Sequence, residues 1–338
     1  MSSDPCGALL AGARDSAERG YEAFCRQPVD FEKIAADPPH PGRRETTIRT
    51  PVSVTGPGTF FGRARRQLRF EPSAADGWCF KREDLPESLP IRVSVNNIWT
   101  TVRNIVLCSG SPHNYMRMVE HIVALRLAMR LDNLTIRLDS GDPPLFDRGS
   151  MDLWEALESA GVQELDRPVS YVTVKEPVTV AGEDGAFLSF RPCASPAPVL
   201  NLDCAVDFRS AIGRQRIRIT VDPETCRYGA LARTNTTFGM MLYCKTVGKL
   251  FADIRNLGYT TRNILVAGRR RYFNEPKLLH NGKSLEAVWH RAILDLVAAI
   301  ALIERGRFVG EVLSYKSGHS LDVLMIRKLY EQDMLREF

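Results

Sequence analysis

The sequence predicts an α+β protein built as two similar α/β-layered domains from an internal duplication, with helices packed between mainly antiparallel sheets. Two observations carry the prediction. Pro51-Val-Ser-Val-Thr-Gly56 is matched by Pro177-Val-Thr-Val-Ala-Gly182, and downstream Leu68-Arg-Phe-Glu-Pro72-Ser-Ala74 is matched by Leu188-Ser-Phe-Arg-Pro192-Cys-Ala194. These segments alternate apolar and polar residues, as half-buried strands do, and each pair is separated by a turn, so the same hairpin opens each half. Strands precede helices in both halves, the order expected of helices layered on one face of a sheet. Size agrees: 338 residues with 44% hydrophobic and 25% charged side chains suffice for two ordinary cores.

In chain order, residues 1–44 stand outside the repeat as an N-terminal extension. One helix is expected there, around Ala8 to Cys25, followed by a Pro-rich connection through Pro38, Pro39 and Pro41. The first repeat domain, 45–166, carries its hairpin, an apolar helix over 118–131, a strand over 134–138, and a helix that begins at Ser150 and ends at Gly161, good N-cap and C-cap residues. The boundary falls near Asp166-Arg-Pro168. The second repeat domain, 168–325, ends the same way, with an apolar helix over 285–303 and a strand over 308–315, and 326–338 form a C-terminal tail.

Composition narrows the function classes. Lys and Arg exceed Asp and Glu by 45 to 40, a formal net charge of +5, too small an excess to predict nucleic acid as a partner. The eight cysteines are scattered without a Cys-x-x-Cys pair and read as buried thiols. The N-terminus lacks a basic stretch followed by an apolar one, and the longest apolar run, 293–303, is too short to cross a bilayer and is interrupted by Asp295. A cytoplasmic location is therefore expected.

Three segments carry candidate chemistry. Glu120-His121 opens an apolar helix and sets a carboxylate beside an imidazole, a pairing that suits metal-assisted hydrolysis or an ordinary exposed Glu beside a hydrogen-bonded His. Lys316-Ser-Gly-His319 makes a tight turn at a strand end, where polar groups meet ligands or solvent. His290 and Asp295 lie on one apolar helix. A carboxylate buried there requires a partner or a metal, whereas Glu286 and Asp295 at the edge of the stripe would face solvent.

Together these segments resemble the zinc-dependent UDP-3-O-acyl-N-acetylglucosamine deacetylases of lipid A biosynthesis. Val119-Glu-His-Ile122 is similar to that family's Val-Glu-His-Leu, and Leu131-Asp-Asn-Leu134 to its Ile-Asp-Asn-Ala. Pro144-Leu-Phe-Asp147 with Gly149-Ser150 resembles Pro-Ile-Met-Asp-Gly-Ser. Ala232-Arg-Thr234 and Thr237-Phe-Gly239 resemble Ala-Arg-Thr-Phe-Gly split by three residues. Ile293-Leu-Asp295, Phe308-Val-Gly-Glu311 and Lys316-Ser-Gly-His319 complete the order. The resemblance runs from about Arg44 to Leu329 and implies two similar α+β domains enclosing one site, a zinc cofactor and hydrolysis of an acetamide on an acylated nucleotide sugar.

It further implies that Glu120 is general base, that His319 stabilises the oxyanion and assists the leaving amine, and that Thr237, or Thr234 given the insertion, hydrogen-bonds the oxyanion. His121, His290 and Asp295 would be the metal ligands. Lys316, Phe238 and Arg291, which stands for the family's lysine, would contact substrate. The implied partners are the acylated nucleotide sugar and a transient contact with a membrane surface; the N-terminal extension, outside the resemblance, is expected to dock a protein partner.

One departure bears on the metal. The family's ligands occupy His-x-x-x-Asp, four residues apart, whereas His290 and Asp295 are five apart. Five residues of regular α-helix turn through about 500°, about 140° net, so both side chains cannot address one ion. Placing Asp295 in register puts Arg291 at the histidine position, and placing His290 in register puts Leu294 at the carboxylate position. Three arrangements remain open: a π-bulge that absorbs one residue, another residue as ligand, or no zinc. The last gives a second reading, a non-catalytic paralogue that binds a nucleotide sugar or a partner protein. A third is an amidohydrolase with a different N-acyl substrate.

Overall fold

The computed structural model describes residues 6–35, 44–60, 64–246 and 258–338. Two sheets dominate it. The first has the strand order Val52–Pro57, Arg65–Pro72, Leu134–Leu138, Trp78–Arg82, Ile91–Arg92. The second contains Val178–Ala181, Phe187–Arg191, Gly310–Tyr315, Leu200–Asp207 and Arg214–Thr220 in that order. In each, the opening hairpin is antiparallel, the strand that follows the helix pairs antiparallel with the hairpin, and its other edge takes a parallel neighbour. The two sheets thus share strand order and pairing sense. Arg44–Ile48 pairs with Val162–Pro168, so the chain enters and leaves the first half side by side.

Between the sheets lie the two apolar helices. Glu120–Ala128 packs on a continuous helix over 286–300, in which every residue except Asp295 is buried. One apolar cluster runs from Ile48 through Trp78, Ile122 and Trp289 to Leu329 without a break between halves. Polar groups add to the seam: Arg307 grips Asp132 with two bonds of 2.8 Å, and Arg126 donates to the Ala301 carbonyl at 2.7 Å.

The N-terminal residues differ from the single expected helix. Ala8–Ala11 is a strand, Gly12 turns at φ +93°, and the helix spans Arg14–Arg26. Ala8–Ala11 pairs parallel with the free edge of Val178–Ala181, and Phe31–Lys33 with the opposite edge at Arg214–Thr220. An available sheet edge decides the conformation of Ala-Leu-Leu-Ala over its intrinsic helix preference. The helix crosses the outer face, where Phe24 meets Phe187 edge-on at 5.5 Å. A Cβ on Gly20 would lie 2.0 Å from the Gly185 carbonyl oxygen, so only glycine permits that approach. At the other end, His319–Glu331 is a helix and Leu335–Glu337 a strand antiparallel to Tyr171–Val174.

Candidate active site

The site is assembled from the start of the 120–128 helix, the middle of the 286–300 helix, the strand Thr234–Thr237 and the start of the 319–331 helix. Over His290–Leu296 the middle helix widens into a π turn, and the Val297 N–H bonds the carbonyl of Ala292, five residues back. An i→i+5 bond sets residues five apart nearly above one another. The turn therefore absorbs the extra residue. His290 Nδ1 lies 3.4 Å from Asp295 Oδ2, so the two side chains share one side of the helix while the apolar residues before and after keep their places in the core.

His121, 169 residues earlier, meets His290 with Nε2 atoms 3.1 Å apart. Hydrogen bonding fixes what those atoms offer. Ser150 donates its hydroxyl proton to the His121 carbonyl at 3.1 Å, so at 3.3 Å it accepts from His121 Nδ1–H. Nδ1–H of His290 is directed at Asp295. A neutral ring protonated at Nδ1 presents a lone pair at Nε2, and burial, reinforced by His290, drives the His121 pKa down to about 3. The Thr234 hydroxyl, 3.0 Å from His290 Nε2 and 3.4 Å from His121 Nε2, has one proton for two lone pairs. A cation would satisfy both nitrogens. Two imidazole nitrogens on a tetrahedral zinc lie about 3.3 Å apart, so the pair fits such an ion. Among the described residues no group of three or more His, Cys, Asp or Glu side chains forms a ready-made metal cage, because the Asp295 carboxylate is turned to His290 Nδ1 and toward His319.

Glu120 is buried at the mouth of its helix. One oxygen, Oε1, accepts from the Ile105 N–H and lies 3.6 Å from His319 Nε2, while Oε2 has no hydrogen-bond partner among the described residues. Burial pushes its pKa up, against the pull of His319. His319 Nε2 is also 3.9 Å from Asp295 Oδ1. Burial opposes its positive charge, but Asp295, Glu120 and Asp322 outweigh that and hold its pKa above the ordinary histidine value. Asp295 moves the other way: burial opposes ionisation, and His290, His319 and Arg291 bring its pKa well below the usual carboxylate range.

The remaining expectations fare unevenly. Thr234, not Thr237, reaches the imidazoles; Thr237 caps the helix Phe238–Lys245 by accepting from the Met240 N–H. The three-residue insertion is taken up between them as strand, which carries Thr237 past the site. Arg291 does not face a ligand. It is 6% exposed and paired with Asp322 and Ser317, because the widened turn rotates it away from His290 into the core. Glu286 does not face solvent either: it is fully buried against Arg233, at 2.7 Å. Phe238 is 41% exposed and stacked on Phe273 with centroids 4.4 Å apart. Lys316, at φ +53°, donates to the Asp184 carbonyl at 2.9 Å. Ser150, expected as a helix cap and as part of the Gly149-Ser150 motif, is in addition a partner of His121, and Asp322, one helical turn past His319, is a buried partner of Arg291 that no motif in the sequence marked.

The family model described as "LpxC: UDP-3-O-acyl N-acetylglycosamine deacetylase" matches residues 45–331. A UDP-3-O-acyl-N-acetylglucosamine deacetylase of Bdellovibrio bacteriovorus is 30% identical over 290 residues, 85% of this chain and 90% of the relative. That of Cellvibrio japonicus is 29% identical over 86% of this chain and 91% of its own length. That of Brucella ovis is 30% identical over 86% and 96%.

Proposed function

The chain belongs to the UDP-3-O-acyl-N-acetylglucosamine deacetylase family, and from that membership we propose that it hydrolyses the N-acetyl group of a UDP-3-O-acyl-N-acetylglucosamine-type substrate in lipid A biosynthesis. The observation that carries the proposal is the convergence of Glu120, His121, Thr234, His290, Asp295 and His319 from four separate elements, made possible by the π turn. We propose a zinc ion held by His121, His290 and Asp295; the facing Nε2 atoms support the first two, and the nearness of Asp295 to His290 and His319 supports the third. The metal, when bound, supplies Lewis acidity toward the acetamide carbonyl and toward water.

The protein's own residues do the rest. Glu120 Oε2, buried and without a hydrogen-bond partner among the described residues, takes the proton of the attacking water; burial raises its pKa and makes it a stronger base than an exposed carboxylate. The Thr234 hydroxyl donates to the oxygen on which negative charge develops, and the charge of His319 lies beside it. His319 then gives its proton to the departing nitrogen as the C–N bond breaks, yielding acetate and a free amine. Exposed Phe238 and Lys316 are proposed substrate contacts, and the site is proposed to work in the cytoplasm. Residues 45–166 and 168–325 are proposed as duplicated domains, supported by their shared strand order and pairing sense.

Acetate release from the acylated UDP-sugar by zinc-loaded protein tests the reading. Activity is expected in the wild type, with a loss of about 10²- to 10⁴-fold in Glu120→Gln. The rate should rise as Glu120 deprotonates, above the ordinary carboxylate range, and fall as His319 deprotonates, above the ordinary histidine range; His319→Gln should lose the alkaline limb. Thr234→Ala should lose about 10²- to 10³-fold and Thr237→Ala little. No acetate release from a protein carrying stoichiometric zinc would overturn it.

A further inference from the structure

The catalytic elements are joined by a buried ion pair whose two charges belong to different helices. Arg291 follows His290 inside the π turn. Its Nη2 is bonded to Asp322 and, at 2.7 Å, to Ser317 Oγ; Ser317 Oγ is bonded in turn to Ser314 Oγ, also at 2.7 Å. Ser317 precedes His319 by two residues and Asp322 follows it by three. The guanidinium therefore grips the chain on both sides of His319 while its own backbone carries a neighbour of His290. Asp322 and Ser314 are fully buried and Arg291 nearly so, leaving no route by which this cation could meet a substrate anion. That one side chain ties together the strand end at Ser314, the Lys316-Ser317-Gly318 turn and the start of the 319–331 helix, beside the bonds of Lys316 to the Ala205 and Asp184 carbonyls.

We infer that Arg291 and Asp322 are positioning residues, a strut that sets the placement of the His319 ring relative to His290, Asp295 and Glu120. The inference rests on the reading of His319 as the proton donor to the leaving amine. Its physical basis is leverage. His319 Nε2 stands 3.6 Å from Glu120 and 3.9 Å from Asp295, close enough to feel both charges and too far for either to hold the ring. Its Nδ1 has no hydrogen-bond partner among the described residues. The ring is therefore placed by its backbone, and the backbone by the strut. The same positive charge that would be read from sequence as a substrate contact works here inside the protein.

Removing one partner would leave a buried lone charge and threaten folding, so the test replaces both with apolar residues of similar volume, Arg291→Met with Asp322→Leu, an exchange that buried ion pairs often tolerate. Two readouts are taken. In zinc-loaded enzyme, kcat is expected to fall about 10- to 100-fold at unchanged KM and unchanged zinc stoichiometry, the size of effect that small misplacements produce. In nitrogen-15-histidine-labelled protein, the His319 ring signals, assigned by their absence in His319→Gln, are expected to broaden or split while those of His113 stay sharp. A rise in KM alone would make Arg291 a substrate contact and overturn the strut, as would an unchanged kcat with an unchanged ring signal. If the wild type releases no acetate, the proposed reaction fails while the ring signal still decides whether the strut orders His319. If the double variant does not fold, Arg291→Lys, which keeps the charge but offers a different donor geometry, is read by the same two measurements.

Discussion

Ser150 occupies the N-cap position of the helix Met151–Ala160, yet its hydroxyl makes no bond to that helix. It is spent instead on the carbonyl and Nδ1 of His121. The helix loses one of its end contacts, and in exchange the half-buried His121 imidazole is fixed in the tautomer that points a lone pair at His290. Ser150→Ala should therefore cost the helix little while weakening zinc binding by about 10- to 100-fold, the range found when an outer partner of a metal-ligating histidine is removed. A competition titration against a chromophoric chelator measures it; unchanged affinity would mean that the ring keeps its tautomer without help. Thr234 illustrates the same economy. One hydroxyl lies within 3.4 Å of both imidazoles, and in the proposed reaction it is the donor to the developing negative charge.

At the scale of the element, the 286–300 helix answers the spacing problem. Its neighbours on both sides, Trp289 and Ala287 before, Leu296 and Val297 after, are buried, so neither end can rotate to bring His290 and Asp295 together. Only a local widening satisfies the core and the cleft at once. Deleting Ala292 should let a regular α-helix place His290 and Asp295 four apart and keep both flanks in register, giving a folded protein that retains one zinc per chain. Inserting a second alanine after Ala292 should break the register and abolish stoichiometric zinc. Metal analysis of the two purified variants decides the matter, and equal zinc in both would remove the π turn from the explanation.

For the molecule as a whole, the N-terminal residues finish the second half rather than standing beside it. They close both edges of its sheet, which would otherwise offer unpaired backbone to other chains, and the helix covers its outer face. Phe24 is the anchor: 1% exposed, it packs against Phe187 and Tyr315, with the Arg216 guanidinium 3.8 Å over its ring. Phe24→Ala should lower the unfolding free energy by about 3–5 kcal/mol, measured by denaturant melts, whereas a segment that merely touched the sheet would lose under about 1 kcal/mol.

What the sequence by itself determined is what local pattern and residue type can encode. Alternation marked the hairpins that became Val52–Pro57 with Arg65–Pro72 and Val178–Ala181 with Phe187–Arg191. Runs of apolar residues marked the two central helices. The ordered motifs marked Glu120, His121, Asp295 and His319, and the polar residues of an apolar helix marked His290. The tertiary structure decided the rest: the five-residue spacing became a π turn because the core holds the helix at both ends, and the insertion brought Thr234 rather than Thr237 to the imidazoles. Arg291 turned inward because Asp322 and Ser317 wait there, and Ala8–Ala11 became strand because a sheet edge was open. Each of those outcomes depends on a partner far away in the chain, and periodicity along one segment carries no record of what that segment will meet.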